Sequence, residues 1–432
     1  MIKKLDNIVF YLISIFPVLI VSGPFLSDTA VVLIDLIFLY IIIKENKLSL
    51  LNNIYFKYFL FFCLYFSVRS IFTDDILFSL KSSFFYIRFI ILVFAISFFL
   101  DRNDKLISLF SKIFLVTILI VCIDGLFQYL FSFNFLGFKI YNEDKLSGLF
   151  GDEAVLGSFL VRLTPLVFAV LYRYFNQREN KSIFLFSLIL LELLIFLSGS
   201  RTSLFLMLFF SGIFFLINNS LRKSIIIIHI IIIISVFSLS KFNSRFSHTA
   251  YYAILDPIRT MFFEQSWVAP WEDLTKKPES VENKKFFIFT RVYDSHYRTA
   301  YNMFLDNKFF GVGTKMFRQL CGDPKYWINE FSCSTHPHNF YLQILAENGI
   351  FGFIALIIPF IYITFIVWKI LILHLFKNKK IRSYSALMIL TGIFLNLWPI
   401  ISSGNFFNNW LSILIYFPVG FYQYFNKKNE LH

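Results

Sequence analysis

The chain has 432 residues, of which 57% are apolar, and it contains 61 phenylalanines. Soluble domains are usually about 45–50% apolar, so this composition excludes an ordinary soluble protein. A formal net charge of +13 would suggest nucleic-acid binding in a soluble chain, but no nucleic-acid motif accompanies it and no nucleic-acid partner is expected.

Long apolar runs determine the predicted fold class. A membrane-spanning helix needs about 20 mainly apolar residues, and twelve segments come near that length. They predict an all-α, multi-pass membrane protein. In chain order the segments are 8–23, 28–43, 56–73, 82–100, 105–131, 154–173, 182–198, 202–217, 224–240, 349–373, 383–400 and 407–425.

The connectors between these segments alternate in charge. With the N-terminus in the cytoplasm, the inner connectors carry most Lys and Arg and the short outer ones carry mainly Asp and Glu, as the positive-inside rule requires. Both termini are then cytoplasmic. The predicted division is residues 1–240 for spans one to nine, an extracytoplasmic loop at 241–338, and residues 339–432 for spans ten to twelve.

The large loop has about a hundred residues, too many for a simple connector, and its aromatic content predicts a small helical cap on the membrane face. It contains Cys321 and Cys333. A disulfide between them is favoured if the loop is extracytoplasmic; the alternative is two free thiols. Cys63 and Cys122 lie in apolar runs and are interpreted as small core residues.

Ionisable residues inside predicted spans are costly to bury, so each is a functional hypothesis. All of them fall in the outer halves of their spans, beneath the loop. An ion pair that only orients helices, such as Arg162 with Glu192, is the alternative for each residue, but the set predicts a polar cavity opening outward. His229 is expected to be structural and nearer the inner side. The set is Asp35, Arg69, Arg88, Asp124, Arg162 and Glu192.

The chemistry that suits such a cavity is anionic, because Arg binds phosphate oxygens bidentately. Arginines at the outer interface would hold the pyrophosphate of a lipid carrier whose tail stays in the bilayer. The sequence shows no P-loop, zinc motif or acidic metal cluster, so no metal or other cofactor is expected. An outward site also has no ATP, and a glycosyl diphospholipid is an activated donor that would need none.

Two stretches carry recognisable motifs. The first is Ser-Gly-Ser-Arg-Thr-Ser at residues 198–203, directly before a predicted span. The second, residues 291–353, places an Arg about a dozen residues before Gly311-Val-Gly313, then His338-Asn339 opening a helix, then Ala-Glu-Asn-Gly at residues 346–349. In order and placement these pieces resemble the O-antigen ligase and O-antigen polymerase superfamily of bacterial inner membranes.

The resemblance implies a twelve-span fold similar to the GT-C class, with a mainly helical periplasmic loop between spans nine and ten. It implies an inverting, metal-independent glycosyltransferase that acts on the periplasmic face of the inner membrane. The donor would be a glycan on undecaprenyl pyrophosphate. The acceptor would be a lipid-linked repeat unit or the lipid A core, and a polysaccharide chain-length regulator is a further candidate partner.

Matching positions assign the implied catalytic roles to Arg201, Arg298 and His338. Arg201 and Arg298 would neutralise the departing pyrophosphate, and the histidine would take the proton of the acceptor hydroxyl. Arg291 competes with Arg298 for the loop arginine, and His336 competes with His338. Interfacial snorkelling of Arg201 and helix capping by His338 are the structural alternatives.

Further substrate contacts are predicted among charges near the same face. Glu153 and Arg162 flank an outer turn that looks family-like, and Arg69 and Arg88 are additional candidates; helix-end structure is the alternative. Gly311-Val-Gly313 is expected to be only a turn, since no strand–helix unit follows it.

Polymerase and ligase share donor and leaving group and differ in acceptor. The stretch at 296–349 is more similar to polymerases, which favours O-antigen polymerase, with O-antigen ligase as the alternative. A flippase or transporter of lipid-linked glycans stays open, since buried charges also mark transport paths. Against it, the charges stop at the outer half and the sequence shows no inverted repeat.

Overall fold

The computed structural model describes residues 1–140, 145–175, 180–239, 241, 244–251 and 291–428. Within these ranges the chain is helical, and its strand-like pairing is one isolated bridge between Phe133 and Lys139. The helices are α1 Ile2–Val21, α2 Pro24–Lys44, α3 Ile54–Ser70, α4 Ile76–Phe84, α5 Arg88–Arg102, α6 Asp104–Phe131, α7 Leu156–Tyr174, α8 Lys181–Leu197, α9 Arg201–Ile217, α10 Arg222–Leu239, α11 Ser244–Ala250, α12 Arg291–Asp306, α13 Phe317–Leu320, α14 Phe340–Lys377, α15 Tyr384–Asn396 and α16 Asn409–Lys427.

A helix coincides with each predicted apolar segment. Six helical stretches are long and apolar enough to cross a membrane by length and composition, whereas α9 and α15 are shorter apolar helices. The described chain is thus that of an all-helical, polytopic membrane protein, and the count of twelve spans stays a prediction. The six are Ile2–Val21, Pro24–Lys44, Ile76–Arg102, Asp104–Phe131, Leu156–Tyr174 and Phe340–Lys377.

Two of the predicted segments extend toward the N-terminus across a break in helical geometry. The segment predicted at 82–100 is helical from Ile76, but a 3-10 turn at Phe85–Ile87 separates α4 from α5. The segment predicted at 349–373 lies in the C-terminal part of α14, and the backbone of this helix leaves helical geometry at Gly349. Periodicity does not show such breaks, because both flanking segments are apolar.

Small residues bring the central helices close together. A Cβ on Gly420 of α16 would lie 2.6 Å from Ile96 of α5, and one on Gly392 of α15 would lie 2.6 Å from Pro165 of α7. Close backbone approach at such residues increases the van der Waals contact that drives helix association in membranes. These pairs make α5, α7, α15 and α16 the packed centre of the bundle.

Several buried polar groups of the spans bind only protein atoms. Asp124 Oδ1 of α6 accepts the Phe135 amide at 3.0 Å, and Gln128 Oε1 accepts the amides of Ser147 and Gly148 at 3.0 and 2.8 Å. These two side chains therefore fix the turns between α6 and α7. Such bonds give Asp124 a structural role.

The ion pair of Arg162 with Glu192, the alternative considered for these two residues, does not form in the described structure. Arg162 donates to the Asn396 side chain of α15, while Glu192 Oε1 lies 3.2 Å from His229 Nε2. The 3.2 Å contact shows that Glu192 and His229 lie at a similar height in the bundle, and the side of the membrane to which each is nearer stays a prediction. His229 and Glu192 instead link α8 to α10.

Candidate active site

Helix α12 presents different residues on two faces. Tyr293, His296 and Tyr297 are spaced three and four residues apart, so they share one face, and all three rings lie buried or half-buried. This face is directed toward the His-Pro-His-Asn segment that precedes α14, because the rings of Tyr293 and His296 both contact His338.

Four aromatic rings meet there, and we name Tyr293, His296, His336 and His338 the histidine cluster. His338 lies at its centre: its ring centroid is 4.1 Å from that of His336, 5.2 Å from that of Tyr293 and 5.3 Å from that of His296. The His296 and His338 rings are nearly parallel, 24° apart. Among the described residues, no group of three or more His, Cys, Asp or Glu is arranged to hold a metal ion.

His338 has a strained backbone. Its φ is +56°, in the left-handed region that non-glycine residues rarely occupy. Two contacts hold it there: its carbonyl accepts the Ser403 amide at 2.8 Å, and the next residue, Asn339, caps α14 with its side-chain oxygen. Strain of this kind tends to occur at functional sites.

The cluster is uncharged near neutral pH. Burial lowers the pKa of His296 to about 4 and that of His336 to about 3, and the charge of His338 acts in the same direction on both. Burial also lowers the pKa of His338, with help from the charge of Lys145. His296 Nδ1 is buried and has no hydrogen-bond partner among the described residues. Neutral imidazoles can accept protons.

Arg201 borders the cluster through Tyr293. It is the first residue of α9, whose N-cap is Ser200. Burial raises the pKa of Tyr293, while a hydrogen bond with Ser402 and the charge of Arg201 act in the opposite direction. Thr202 shares a 2.6 Å hydrogen bond with the same Ser402. The N-terminus of α9 and the turn between α15 and α16 thus form the other wall of the site.

Arg298 lies on the other face of α12. It follows His296 by two positions, about 200° around the helix, and its Nε pairs with Asp294 Oδ2 at 2.8 Å. Arg291 is seven positions before Arg298 and shares that face; its side chain lies outside the described residues. The structure therefore brings Arg201, His336 and His338 together and directs Arg298 away from them.

Arg69 binds the main chain of the loop. Its Nη2 donates to the Gly311 carbonyl at 2.6 Å, its Nε to the Phe310 carbonyl at 2.9 Å, and its Nη1 to the Phe72 carbonyl at 2.9 Å. These bonds occupy every nitrogen of the guanidinium group. Arg69 therefore anchors the loop to the end of α3.

The other predicted substrate contacts lie elsewhere in the bundle. Arg162 is buried and also donates to Ser158 Oγ at 3.2 Å. Arg88 pairs with Asp28 at 2.9 Å, linking α5 to α2. Glu153 is exposed in the turn before α7. None of these contacts reaches the histidine cluster within the described residues, and their roles as substrate contacts stay predictions.

The second family-like motif forms a junction between the loop and α14. We name Gly311, Gly313, Glu347, Asn348 and Gly349 the glycine junction. The Gly313 amide donates to the Glu347 carbonyl at 2.7 Å, and Thr314 Oγ1 donates to the Asn348 side chain at 3.0 Å. Gly311-Val-Gly313 is a turn, as predicted, and it fits against the break in α14.

Three glycines of the junction have positive φ: +69° at Gly311, +116° at Gly313 and +67° at Gly349. A Cβ on Gly311 would lie 2.3 Å from the Glu347 carbonyl carbon, and one on Gly349 would lie 2.2 Å from the Phe309 carbonyl oxygen. Only glycine satisfies both the conformation and the close approach.

Glu347 is fully buried beneath this turn. Its Oε2 accepts the Lys315 amide at 2.9 Å and the Gln343 side chain at 3.1 Å, and its Oε1 accepts the Phe317 amide at 3.4 Å. The three donors offset part of the cost of burying this side chain. Glu347 therefore fixes the chain direction after Gly313.

The loop cysteines form a disulfide. Cys321 and Cys333 have Cα atoms 5.0 Å apart and close the segment between α13 and the histidines. Cys63 and Cys122 are free and buried among apolar side chains.

Comparison with known families identifies this part of the chain. Residues 185–357 match the model of the O-antigen ligase family. We refer to this matched region as the O-antigen ligase domain. No curated protein matches the chain. The match confirms the resemblance to the O-antigen ligase and polymerase superfamily.

The O-antigen ligase domain runs from α8 to the first half of α14, so it holds Arg201, the histidine cluster and the glycine junction. Three residues of the site were not predicted from sequence. Tyr293 and His296 share one face of α12, a signal that the spacing could have given. Ser402 lies outside the domain, in a turn whose sequence shows no motif.

Proposed function

We propose that this protein is a glycosyltransferase that moves a glycan from a lipid-linked pyrophosphate donor to a sugar hydroxyl, on the extracytoplasmic face of the bacterial inner membrane. One observation carries the proposal: the half-buried His338 ring lies against His336 and against Tyr293, which the charge of Arg201 reaches, within the O-antigen ligase domain. A proton acceptor next to a fixed cation is what displacement of an anionic leaving group needs.

His338 is the proposed base, because it is central to the cluster and its backbone is strained. Its imidazole takes the proton of the acceptor hydroxyl while that oxygen attacks the anomeric carbon. The bond from this carbon to the pyrophosphate oxygen breaks, and the pyrophosphate leaves with the electron pair. Arg201 stabilises the charge that develops on it. Direct displacement inverts the configuration at the anomeric carbon, and no step uses a metal.

The proposed topology follows the charge pattern of the connectors. Residues 1–240 and 339–432 would form twelve spans, with both termini cytoplasmic. The loop at 241–338 would lie in the periplasm, which is oxidising. The disulfide between Cys321 and Cys333 agrees with that location.

The proposed donor is a glycan on undecaprenyl pyrophosphate, and the proposed activity is O-antigen polymerisation. The acceptor would then be a second lipid-linked repeat unit, and a chain-length regulator would be a partner. The similarity of residues 296–349 to polymerases supports this choice. A ligase would use the same His338 and Arg201 with the lipid A core as acceptor.

Arg298 is kept as a weaker candidate in this proposal. It faces away from the histidine cluster and pairs with Asp294, so it could meet the donor only at the other face of α12. Arg69 is better explained as an anchor than as a substrate contact, because backbone carbonyls occupy its three nitrogens.

The test replaces single residues and resolves surface polysaccharide by gel in a host that lacks the activity. We expect Arg201→Ala and His338→Asn to abolish long chains and Arg298→Ala to retain more product than either. Loss of long chains with single repeats still on the core indicates a polymerase, and loss of all core attachment indicates a ligase. Full-length ladders in both the Arg201 and the His338 variants would refute the proposal. A transporter instead requires essential charges in the inner half as well.

A further inference from the structure

Two cations meet over one aromatic ring next to the histidines. Lys315 Nζ lies 6.0 Å from the ring centroid of Phe78 in α4, and Arg318 Cζ lies 5.8 Å from the same centroid. A cation is attracted to a ring face at about this distance. Two cations on one ring nevertheless repel each other, so the arrangement needs an explanation.

No described carboxylate forms an ion pair with either cation. The nearby Glu347 is occupied by amides, and Asp75 caps α4 and accepts from Gln319 Nε2 at 3.2 Å. Burial and the charge of Arg318 both lower the pKa of Lys315, and the Glu347 charge opposes them only in part. Two like charges therefore share one aromatic ring, and neither has an ion-pair partner among the described carboxylates.

Hydrogen bonds hold the backbone of Lys315 and the guanidinium group of Arg318, which is itself exposed. Lys315 has a φ of +61°, held by the bond from its amide to Glu347 Oε2. Arg318 Nη2 donates to the Thr335 carbonyl at 3.2 Å. Fixed like charges are unfavourable until an anion binds between them, and preorganisation lowers the cost of that binding. These constraints favour an anion site over two mobile surface side chains.

The surroundings of this cation pair indicate what the anion is attached to. The turn after α3 and one face of α4 expose large apolar side chains: Phe72 is 74% exposed, Leu77 81% and Phe84 55%. In a membrane protein such residues face lipid. An anion bound beside them fits the phosphate of a lipid whose tail runs along α4.

The cation pair is also adjacent to the histidine cluster. Thr335, whose carbonyl binds Arg318, shares a 2.8 Å hydrogen bond with His336 Nδ1. The charge of Arg318 also reaches His336 and helps to lower its pKa. A phosphate held by Lys315 and Arg318 would therefore lie at the edge of the proposed reaction site.

We infer that Lys315 and Arg318 bind the phosphate group of a membrane lipid, and that this lipid is the pyrophosphate-linked donor. The second part rests on the proposed function. Lys315 and Arg318 would then provide the positive charge in the loop that Arg298 was expected to provide. An ordinary phospholipid headgroup has the same phosphate chemistry and is distinguished by experiment.

The binding test uses the full-length protein in nanodiscs of neutral lipid, with undecaprenyl pyrophosphate as the probe. We expect Lys315→Gln and Arg318→Gln each to weaken binding roughly tenfold, and the double variant to weaken it further, since each removes a charge-assisted contact. Inorganic pyrophosphate should compete on the wild-type protein. Lys315→Arg should restore binding. Lys325→Gln, a loop lysine paired with Asp306 at 2.6 Å, is the matched control and should bind as wild type.

Three results would overturn this inference. Unchanged binding by a folded double variant, checked by its thermal unfolding midpoint, overturns the site. The donor assignment is overturned if the protein binds phosphatidylglycerol vesicles tightly and undecaprenyl pyrophosphate does not displace them. A double variant that both binds the probe and makes full-length polysaccharide overturns the inference while the proposed function stands. Conversely, if the double variant loses binding but the wild-type protein makes no polysaccharide, the lipid-phosphate site stands and the proposed function fails.

Discussion

The glycine junction and the histidine cluster are both built from family-like motifs, yet they differ in how their polar groups are used. In the junction, Glu347 accepts three donors and the Gly313 amide is bonded to α14. In the cluster, His296 Nδ1 has no partner among the described residues and His338 has a strained backbone.

Under the proposed function, this difference separates the structural residues of the O-antigen ligase domain from those that take part in the reaction. Motif residues whose hydrogen-bonding capacity is already filled by protein atoms have none left for a substrate. Motif residues that are buried, uncharged and incompletely bonded retain capacity, at a cost in stability. The first set should therefore affect folding when it is substituted, and the second should affect turnover.

The largest expected effect is on turnover at His338. His338→Asn should lower the rate of polysaccharide formation about 10²–10⁴-fold, because the proposed general base is lost. Asn tolerates positive φ, so the unfolding midpoint should stay near that of the wild type. Rates and unfolding are measured on the same preparation. A wild-type rate would remove His338 from the chemistry, and a rate lost only in His336→Asn would assign the base to His336.

The next effect is on stability at Gly349. Gly349→Ala should destabilise the fold by more than about 3 kcal/mol, because the new Cβ meets the Phe309 carbonyl at 2.2 Å in a left-handed backbone. Gly212→Ala is the control: its Cβ meets nothing within 4 Å, and its helix should gain up to about 1 kcal/mol. Thermal unfolding measures both. Equal midpoints for the two variants would contradict the junction as described.

A smaller loss is expected at Glu347. Glu347→Gln should cost about 1–3 kcal/mol, because the new NH₂ group faces donors instead of accepting from them. Glu153→Gln is the matched control, since Glu153 is exposed, and it should change stability by less than about 0.5 kcal/mol. Activity per folded molecule should change little in either variant. A Glu347 variant that is fully stable but inactive would move this residue to the chemistry.

The smallest effect is a pH dependence of stability from the cluster. The unfolded chain takes up protons near pH 6.5, whereas folded His296 and His336 stay neutral down to about pH 4 and about pH 3. Stability should therefore fall as pH drops below 6.5, by about 1 kcal/mol per histidine and pH unit. The double variant His296→Phe/His336→Phe should show a flatter profile of unfolding midpoint against pH. Identical slopes would mean that the two rings are not buried neutral groups.

The sequence predicted much of the fold because long apolar runs have few alternatives to a helix in lipid. The structure has a helix at every segment predicted from the sequence. The prediction missed the 3-10 turn before Arg88 and the start of α14 at Phe340. Those features depend on tertiary contacts, such as the fit of Gly311 against Gly349. A prediction made from neighbouring residues in the sequence does not contain such contacts.

The site was predicted only in part. Arg201, His336 and His338 lie in recognisable motifs and come together, whereas Arg298 was assigned by its distance along the chain. Helical register, with 3.6 residues per turn, puts Arg298 and His296 on different faces of α12, and this much was readable from the sequence. The contribution of Ser402 was not, because it comes from a turn far along the chain.

The segment between Gly313 and Asn339 is attached at both of its ends. Gly313 is bonded to the broken helix, and Asn339 caps that helix while the Ser403 amide holds His338. Its middle part is held as well, because Lys325 and Tyr326 both donate to Asp306 of α12 and the Cys321–Cys333 disulfide closes residues 322–332. If the proposed function is right, insertions within residues 322–332 should therefore displace the histidines and lower activity, although the stretch is distant in sequence from the reacting groups.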